Sequence, residues 1–349
     1  MSHNILQEIY KIYPLTNNES EDKQLLKVLS TEDIRQLTSL DLVMNAVKEA
    51  YIQKANNDGE DWPLIFHEFK NKTSDMDIKS GVLEKTNTFG LKVVSLHQDN
   101  IAKQLPLLMS TSLVFDTVTG QPKGLLNFED LTGIRTAAAA TLGALTLANP
   151  NSKTCLLVGC GHLAPFIVYA MNEAFPNLEK IIIVDPLDTN RAILFVEKFK
   201  DLIPKLEISS DIEKAIKQSN IIVTATPTKE AIIKSDWINE GTHISCLGAD
   251  MSDKNEIEAN ITTKAKLFVD DFNQSVNVGE FEVAYKNHLI DKGDLTLIGD
   301  AIIDNTKGRT NPQEITIFDS TGISLQDIMV ADALIEEAKK KNIGIDIKF

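Results

Sequence analysis

The stretch that most constrains how this chain can fold is Thr154-Cys155-Leu156-Leu157-Val158-Gly159-Cys160-Gly161-His162-Leu163-Ala164-Pro165. A short apolar run, too short for a helix, breaks into Gly-x-Gly-x-x-Ala. It continues as Phe166-Ile167-Val168-Tyr169-Ala170-Met171, which reads as a buried helix. Strand, tight turn and helix in that order suit a dinucleotide pyrophosphate. Gly159 allows the turn, Gly161 lets backbone approach the phosphates with no side chain between, and small Ala164 lets the helix pack close to the strand. The helix N-terminus adds free N–H groups and its dipole, and Pro165 is tolerated in the first turn, where its missing N–H would be unpaired anyway.

A second apolar run, Lys180-Ile181-Ile182-Ile183-Val184, ends at Asp185. The separation 185 − 159 is 26 positions, against roughly 20 expected for the acid that holds the adenine ribose hydroxyls. A carboxylate there repels a 2′-phosphate, which favours NAD(H) over NADP(H). Around the same cofactor the sequence places His162 and Leu163 in the turn, Thr136 ahead of it, Arg191 beyond Asp185, and Thr224 and Thr226 at the end of a later strand. His162 reads as exposed beside the cofactor and not catalytic. The competing reading is that Gly159 and Gly161 only shape a turn in a doubly wound sheet.

The 349 residues suffice for two domains of ordinary size, and 43 % hydrophobic content with alternating strand and helix patterns means a globular α/β chain. The net charge of −15 argues against nucleic acid, whose phosphates require clustered Lys and Arg. Cys155, Cys160 and Cys246 sit in or beside apolar runs without a C-x-x-C pair, and the six histidines show no ligand spacing, so reduced cysteines and no metal are expected. Glu8 and Lys11 interrupt any signal-peptide core, and no apolar segment approaches the ~20 residues of a membrane span. A cytoplasmic protein is expected.

In chain order, residues 1–29 are polar and mixed, with a loop at Asn17–Lys23 after a short helix. Ser30-x-x-Asp33 resembles a capping box, and Leu42, Val43, Ala46, Val47, Ala50 and Tyr51 recur at helical spacing until Asn56-Asn57-Asp58-Gly59. Strands are expected at Leu64–Phe69, Gly90–Leu96, Leu107–Phe115 and Lys123–Asn127, with a hairpin connection over 116–122. The region up to about residue 130 is therefore expected to be a mostly antiparallel α+β unit. Asp130–Thr136 opens an Ala-rich helix that Asn149-Pro150 ends. From Lys153 the alternation is regular: strands near 154–158, 180–184, 205–209 and 220–224, helices near 162–174, 188–200 and 211–217, then strands at Ile232-Ile233, Thr242–Leu247, Lys266–Asp270 and Ile315–Ser320. That pattern is a doubly wound, mainly parallel sheet. A last helix, Ser324 to about Lys341, is free to return to the first domain. The expected division is 1–136 with 322–349 as substrate-binding and dimerisation domain, and 137–321 as Rossmann domain.

Three polar residues stand out. Lys92 lies in the strand Gly90-Leu91-Lys92-Val93-Val94, where a cation among apolar residues needs an anionic partner. Arg135 opens the small-residue helix before the dinucleotide turn. Asp250 follows Ile244–Ala249 at the carboxyl end of a parallel strand, where open α/β sheets bind ligands. Two cations and a carboxylate near a nicotinamide suit a small carboxylated amine or imine: Lys92 and Arg135 hold the carboxylate, Arg135 by a two-pronged contact, and Asp250 moves a proton to or from nitrogen. The alternatives are an edge-strand charge for Lys92, a helix-end ion pair of Arg135 with Glu129 or Asp130, and a turn cap for Asp250.

Phe128-Glu129-Asp130-Leu131-Thr132-Gly133-Ile134-Arg135-Thr136-Ala137-Ala138, Val158-Gly159-Cys160-Gly161, Gly248-Ala249-Asp250-x-x-x-Lys254-x-Glu256, Val269-Asp270-Asp271 with Gly279-Glu280, and Glu314–Gly322 together resemble the ornithine cyclodeaminase/mu-crystallin family. The resemblance runs from about residue 30 to the C-terminus. It implies a homodimer built through the N-terminal domain, a Rossmann domain inserted before the C-terminal helix, and NAD(P) at the cleft. It also implies carboxylate binding by Lys92 and Arg135 and proton transfer by Asp250. Two departures stand out. Leu64, after Pro63, occupies the place of a basic family residue, so one carboxylate anchor is expected to be missing. Ile78-Lys79-Ser80-Gly81 replaces a Met-Pro pair. Lys79 stands near where cyclodeaminases acting on ornithine carry an acid, and a cation there suits a neutral or anionic substrate tail.

The first expectation is thus an NAD(H)-dependent amino-acid dehydrogenase or imine reductase acting on a small amino, imino or 2-oxo acid, with Lys79, Lys92 and Arg135 on the substrate and Asp250 and Lys92 catalytic. The alternatives are an ornithine or lysine cyclodeaminase, a lyase that uses NAD+ catalytically, and a non-catalytic binding protein that keeps the cofactor fold.

Overall fold

A computed structural model describes residues 25–348. The loop and helix expected within 1–24 lie outside those residues. Strand β1 (Leu25–Leu29) opens the description, followed by helices α1 (Thr31–Leu37) and α2 (Leu40–Ala55). No strand was expected within the polar, mixed residues 1–29, yet Leu26, Lys27 and Leu29 are buried and the backbone pairs on both edges. The capping box is present: Ser30 Oγ accepts from Asp33 N at 3.3 Å and Asp33 Oδ2 accepts from Ser30 N at 2.9 Å. Helix α2 buries Val43, Ala46, Val47, Ala50 and Tyr51, the apolar stripe of its sequence.

Next come β2 (Gly59–Asp61), β3 (Ile65–Glu68), β4 (Ser74–Leu83), β5 (Thr88–His97), β6 (Leu108–Asp116) and β7 (Pro122–Asn127). With β1 and β16 (Ile345–Lys348) they form one sheet in the order β16-β1-β7-β6-β5-β4-β2, with β3 also paired to β4. All its pairs are antiparallel except β1 with β7. Lys92 lies on β5, between β4 and β6, which corrects the edge-strand alternative. The hairpin over 116–122 is present, with Gly120 at φ +73° and its N–H donating to Asp116 O at 2.8 Å.

Helix α3 (Glu129–Leu147) leads to the second sheet. Residues Ala137, Ala138, Ala139 and Ala140 are fully buried, and these small side chains let α3 serve two cores at once, one shared with α2 and one with the glycine-turn helix. The boundary expected after Thr136 falls inside this continuous helix. The second sheet contains β8 (Thr154–Val158), β9 (Lys180–Val184), β10 (Leu206–Ile208), β11 (Ile221–Thr224), β12 (His243–Cys246), β13 (Ala265–Val269), β14 (Leu295–Leu297) and β15 (Ile315–Asp319). Their order is β10-β9-β8-β11-β12-β15-β13-β14, and all seven pairings are parallel. The helices α4 (Ala164–Ala174), α5 (Thr189–Phe199) and α6 (Ile212–Lys217) connect the first four strands. Chain order reverses between β8 and β11, the switch point at which such sheets bind ligands. Ile232-Ile233 is not a strand; one bridge, Ile233 to Ile257, replaces it.

After β13 come α7 (Phe272–Asn277), α8 (Glu282–Lys286) and α9 (Ile298–Ile303). The last helix, α10 (Ser324–Lys341), returns to the first sheet. Gly81, Gly90 and Gly124 give it a close approach: a Cβ there would meet Ser324 Oγ at 2.7 Å, Ile328 Cγ1 at 3.5 Å and Ile335 Cδ1 at 2.5 Å. Among the described residues, no helix is long and apolar enough to cross a membrane.

Candidate active site

The glycine turn follows β8 as the sequence requires. Gly159 has φ +107°, and a Cβ on it would lie 2.6 Å from Ala225 O, so both backbone conformation and the packed end of β11 demand glycine. Gly161 differs: no described atom lies within 4 Å of where its Cβ would be. Among the described residues nothing requires glycine there, and the open space leaves backbone free for a phosphate to approach. Ala164 is buried at the start of α4, Pro165 stands in its first turn, and Leu163 is half-buried at its N-cap. His162 is exposed, its ring edge-on to Phe166 with centroids 5.7 Å apart.

Asp185, directly after β9, is 6 % exposed. Its carboxylate accepts from Cys160 N at 3.1 Å and from Leu187 N and Asp188 N at 3.1 and 3.2 Å. Arg191 lies beside it, Nη1 3.5 Å from Asp185 Oδ2 and Nη2 donating to Cys160 O at 3.4 Å. Acid and cation therefore both flank the turn. This combination fits a dinucleotide: an open glycine, a helix N-terminus and an acid at the end of the next strand converge at the switch point. Thr136 donates its hydroxyl to Thr132 O at 2.7 Å and is 9 % exposed on α3.

Thr224 and Thr226 turn their hydroxyls into the protein. Thr224 is fully buried, and its hydroxyl donates to Glu256 Oε2 at 2.6 Å. Thr226 donates both N–H and hydroxyl to Glu256 Oε1, each at 2.7 Å, while Gly248 N reaches Oε2 at 2.8 Å. Through Glu256 their hydroxyls tie the end of β11 to Gly248 beyond β12. Glu256 in turn is positioned by Glu280, which accepts from Glu256 N at 2.9 Å and Ile257 N at 2.7 Å. Asp319 accepts from Glu280 N at 3.0 Å and from the Ser275 hydroxyl, and Asp270 accepts from Thr321 Oγ1 at 2.8 Å and Gly322 N at 2.9 Å. Burial pushes all four carboxyls upward, opposed by these donors, and Glu256 pushes Glu280 further.

Opposite the carboxyl ends of those strands stand the cations. Lys92 is 2 % exposed, its Nζ 2.7 Å from Asp327 Oδ2 on α10 and 5.4 Å from the centre of the Phe128 ring. Arg135 Nε lies 2.8 Å from Asp327 Oδ1, and Arg135 Nη1 donates to Gln326 Oε1 at 3.0 Å. Gln326 Nε2 donates to the buried Tyr51 hydroxyl. Arg135 is thus not paired with Glu129 or Asp130; Asp130 takes Arg35 instead, at 2.6 Å. Burial lowers Lys92 to about 8, with Arg135 and Lys79 adding to the effect and Asp327 opposing it. Burial raises Asp327, but Arg135 and Lys92 outweigh it and hold the carboxyl below its usual range.

Lys79 faces Lys92 directly across the β4–β5 pair and donates to Gly322 O at 2.9 Å. Leu64 precedes β3, where Ile65 pairs with Ile78, so Lys79 supplies a cation at the level where an anchor was expected to be missing. Asp250 sits in the loop after β12, half-exposed, its Oδ1 2.5 Å from Lys254 Nζ. The sequence did not single out Asp327, Gln326, Tyr51 or Asp77. Gln326-Asp327 inside the apolar stripe of the last helix was the available signal.

A model of the ornithine cyclodeaminase/mu-crystallin family matches residues 25–342. The chain belongs to that family. Within it, the chain is 34 % identical over 325 residues to alanine dehydrogenase of Archaeoglobus fulgidus, covering 92 % of this chain and 98 % of that one. An archaeal alanine dehydrogenase dimer with bound NAD superposes with a TM-score of 0.85 over 93 % of this chain and all of the other, at 34 % identity. The Thermococcus litoralis Δ1-pyrroline-2-carboxylate reductase, in complex with NADH and L-proline, gives 0.84 at 28 % identity over 92 % of this chain and all of the other.

Proposed function

We propose that this protein is an NAD(H)-dependent oxidoreductase acting on a small amino or imino acid. The observation that carries the reading is the meeting of three cations, Lys79, Lys92 and Arg135, with the carboxyl ends of a Rossmann sheet whose turn is shaped for a dinucleotide. Nicotinamide bound at this cleft supplies or accepts a hydride at the substrate α-carbon. Lys92 and Arg135 share one carboxylate, Asp327, so the pocket holds positive charge that a substrate carboxylate can neutralise. Asp250 is accessible and held by Lys254, which suits a group that exchanges protons with nitrogen and solvent. A 2-oxo acid and ammonia lose water to give the imine, and its reduction yields the amino acid.

The homologues named above are dehydrogenases and reductases of amino or imino acids, which supports this direction over ammonia loss. Lys79, a cation where a diamine would need an acid, supports it further. We also infer a division into 1–136 with 322–349 and 137–321, matching the two sheets, and a cytoplasmic homodimer. Support for the dimer comes from the outward face of the first sheet: Ile65, Ile78, Leu91, Val93 and Leu113 alternate onto it and keep solvent exposure, whereas an uncovered face is ordinarily polar.

The test is nicotinamide absorbance with purified protein, NADH, ammonia and a panel of 2-oxo acids, beside ornithine and lysine with NAD+ assayed for ammonia. NADH consumption with one oxo acid is the expected result. Ammonia release with no net change in NADH would replace the reading with a cyclodeaminase. Asp250→Asn is expected to lower kcat by about 10²–10⁴-fold; undiminished turnover would remove Asp250 from proton transfer.

A further inference from the structure

The inner face of the first sheet is laid out in rows. Directly paired residues share a face, so Gly81, Gly90, Val114 and Gly124 form one row, Lys79, Lys92 and Ser112 the next, and Phe66, Asp77, Val94 and Ser110 the one beyond. Helix α10 lies on the glycine row. Its Asp327 reaches the cation row, and Val94 in the third row stays half-exposed.

That third row carries two anomalies. Asp77 Oδ1 and Ser110 Oγ are buried and among the described residues neither has a hydrogen-bond partner, while the Asp77 side chain as a whole keeps partial exposure, as Val94 does. Buried polar atoms are almost always paired, because leaving one unpaired costs about 1–3 kcal/mol. They flank the apolar Val94 on either side, one strand away from it in each direction. Asp77 stands in the fields of Lys79 and Lys92 on one side and of Asp327 and Asp250 on the other, and burial holds its carboxyl above the usual range.

We propose that Asp77 and Ser110 form a subsite for the substrate side chain, and that it takes a short, neutral, hydrogen-bonding tail, a hydroxyl or carboxamide. The proposal rests on the oxidoreductase reading: with the carboxylate on the cation row, the tail of a small amino acid falls over Val94. A methyl or ethyl tail leaves both polar atoms unpaired. A carboxylate tail meets Asp77 as a like charge, and an ammonium tail meets Lys79. A neutral tail able to donate to Asp77 and exchange a hydrogen bond with Ser110 satisfies both.

The experiment compares kcat/KM for hydroxypyruvate, pyruvate, 2-oxobutyrate and oxaloacetate with NADH and ammonia. In parallel, calorimetry measures L-serine and L-2-aminobutyrate binding to the NAD+-loaded protein. Hydroxypyruvate is expected to exceed its near-isostere 2-oxobutyrate by at least about tenfold, since a site built to bond a hydroxyl rejects analogues lacking it. Asp77→Ala and, separately, Ser110→Ala are expected to bring that ratio within about threefold of unity. A wild-type preference for any other member of the panel, or a ratio that neither substitution moves, overturns the subsite. Silence towards every oxo acid would sink the oxidoreductase reading. The subsite would then stand if L-serine still binds more tightly than L-2-aminobutyrate in an Asp77-dependent way, and fall if the two bind equally.

Discussion

Two clusters of buried charge face each other across the cleft, and they are satisfied in opposite ways. On the first sheet, Lys92 and Arg135 share the single carboxylate of Asp327, with Lys79 directly opposite Lys92. On the second sheet, Glu256, Glu280, Asp319 and Asp270 have no cation within ion-pair reach among the described residues; backbone N–H groups and hydroxyls donate to all four, and of their oxygens Asp319 Oδ1 stays without a partner. A cluster with surplus charge can take a counter-ion from a ligand, as proposed for the substrate carboxylate. One whose carboxylates are held almost wholly by the protein's own donors keeps strand ends in place. Charge in a buried site therefore does not by itself mark chemistry; the unfilled part of its coordination does.

Substitutions in the two clusters should fail differently. Lys92→Met keeps most of the side-chain volume and leaves Arg135 on Asp327, so the fold persists while the substrate carboxylate loses a charged partner. Loss of such a bond is worth roughly 3–4 kcal/mol, so kcat/KM for the 2-oxo acid should fall about 10²–10³-fold, chiefly through KM. Glu256→Gln should do the reverse. Four donors converge on that carboxylate, and an amide presents N–H to two of them. The cost of about 1–3 kcal/mol per unsatisfied donor should appear as a Tm lower by several degrees, with kcat/KM changed far less. A large loss of activity at unchanged Tm in Glu256→Gln would erase the distinction drawn between the clusters.

The surplus charge should also titrate. Lys92 is held near 8, so it is protonated below that pH and loses its charge above it. The Kd of a 2-oxo acid for the NADH-loaded protein, measured without ammonia, should be flat below pH 8 and weaken above it. Asp327 works to raise Lys92, so Asp327→Asn should move the break to lower pH. A break that stays in place would assign the titration to another group.

The two sheets were not equally legible in the sequence. The parallel sheet was readable because its strands are buried on both faces and run as unbroken apolar blocks such as Ile181–Val184. In the first sheet β4 escaped, since its inner face carries Asp77, Lys79 and Gly81 where a strand would ordinarily show apolar residues. The same inversion hid the site: Lys92 and Arg135 stood out as cations in apolar runs, but their shared partner Asp327 lies 192 positions beyond Arg135 (327 − 135), and no local pattern joins them. Thr224 and Thr226 sat at the right end of the right strand, yet only the packing of Glu256 beneath them shows which way their hydroxyls turn.

Asp185 belongs to neither cluster and tests the boundary between them. Its carboxylate already accepts from Cys160 N, Leu187 N and Asp188 N, as a closed scaffold acid would, yet it stands beside the half-exposed Arg191 at the glycine turn, as a ligand-facing group would. Asp185→Ser removes the charge that repels a 2′-phosphate and releases the Arg191 guanidinium to meet one. If the acid faces the ribose, kcat/KM for NADPH relative to NADH should rise about five- to tenfold, equivalent to ~1–1.4 kcal/mol, and adding Arg191→Ser should reverse most of the gain. If instead both cofactors weaken equally, with the ratio fixed, Asp185 is a strut for the turn. It would then join Glu256 among the carboxylates whose bonds end within the protein.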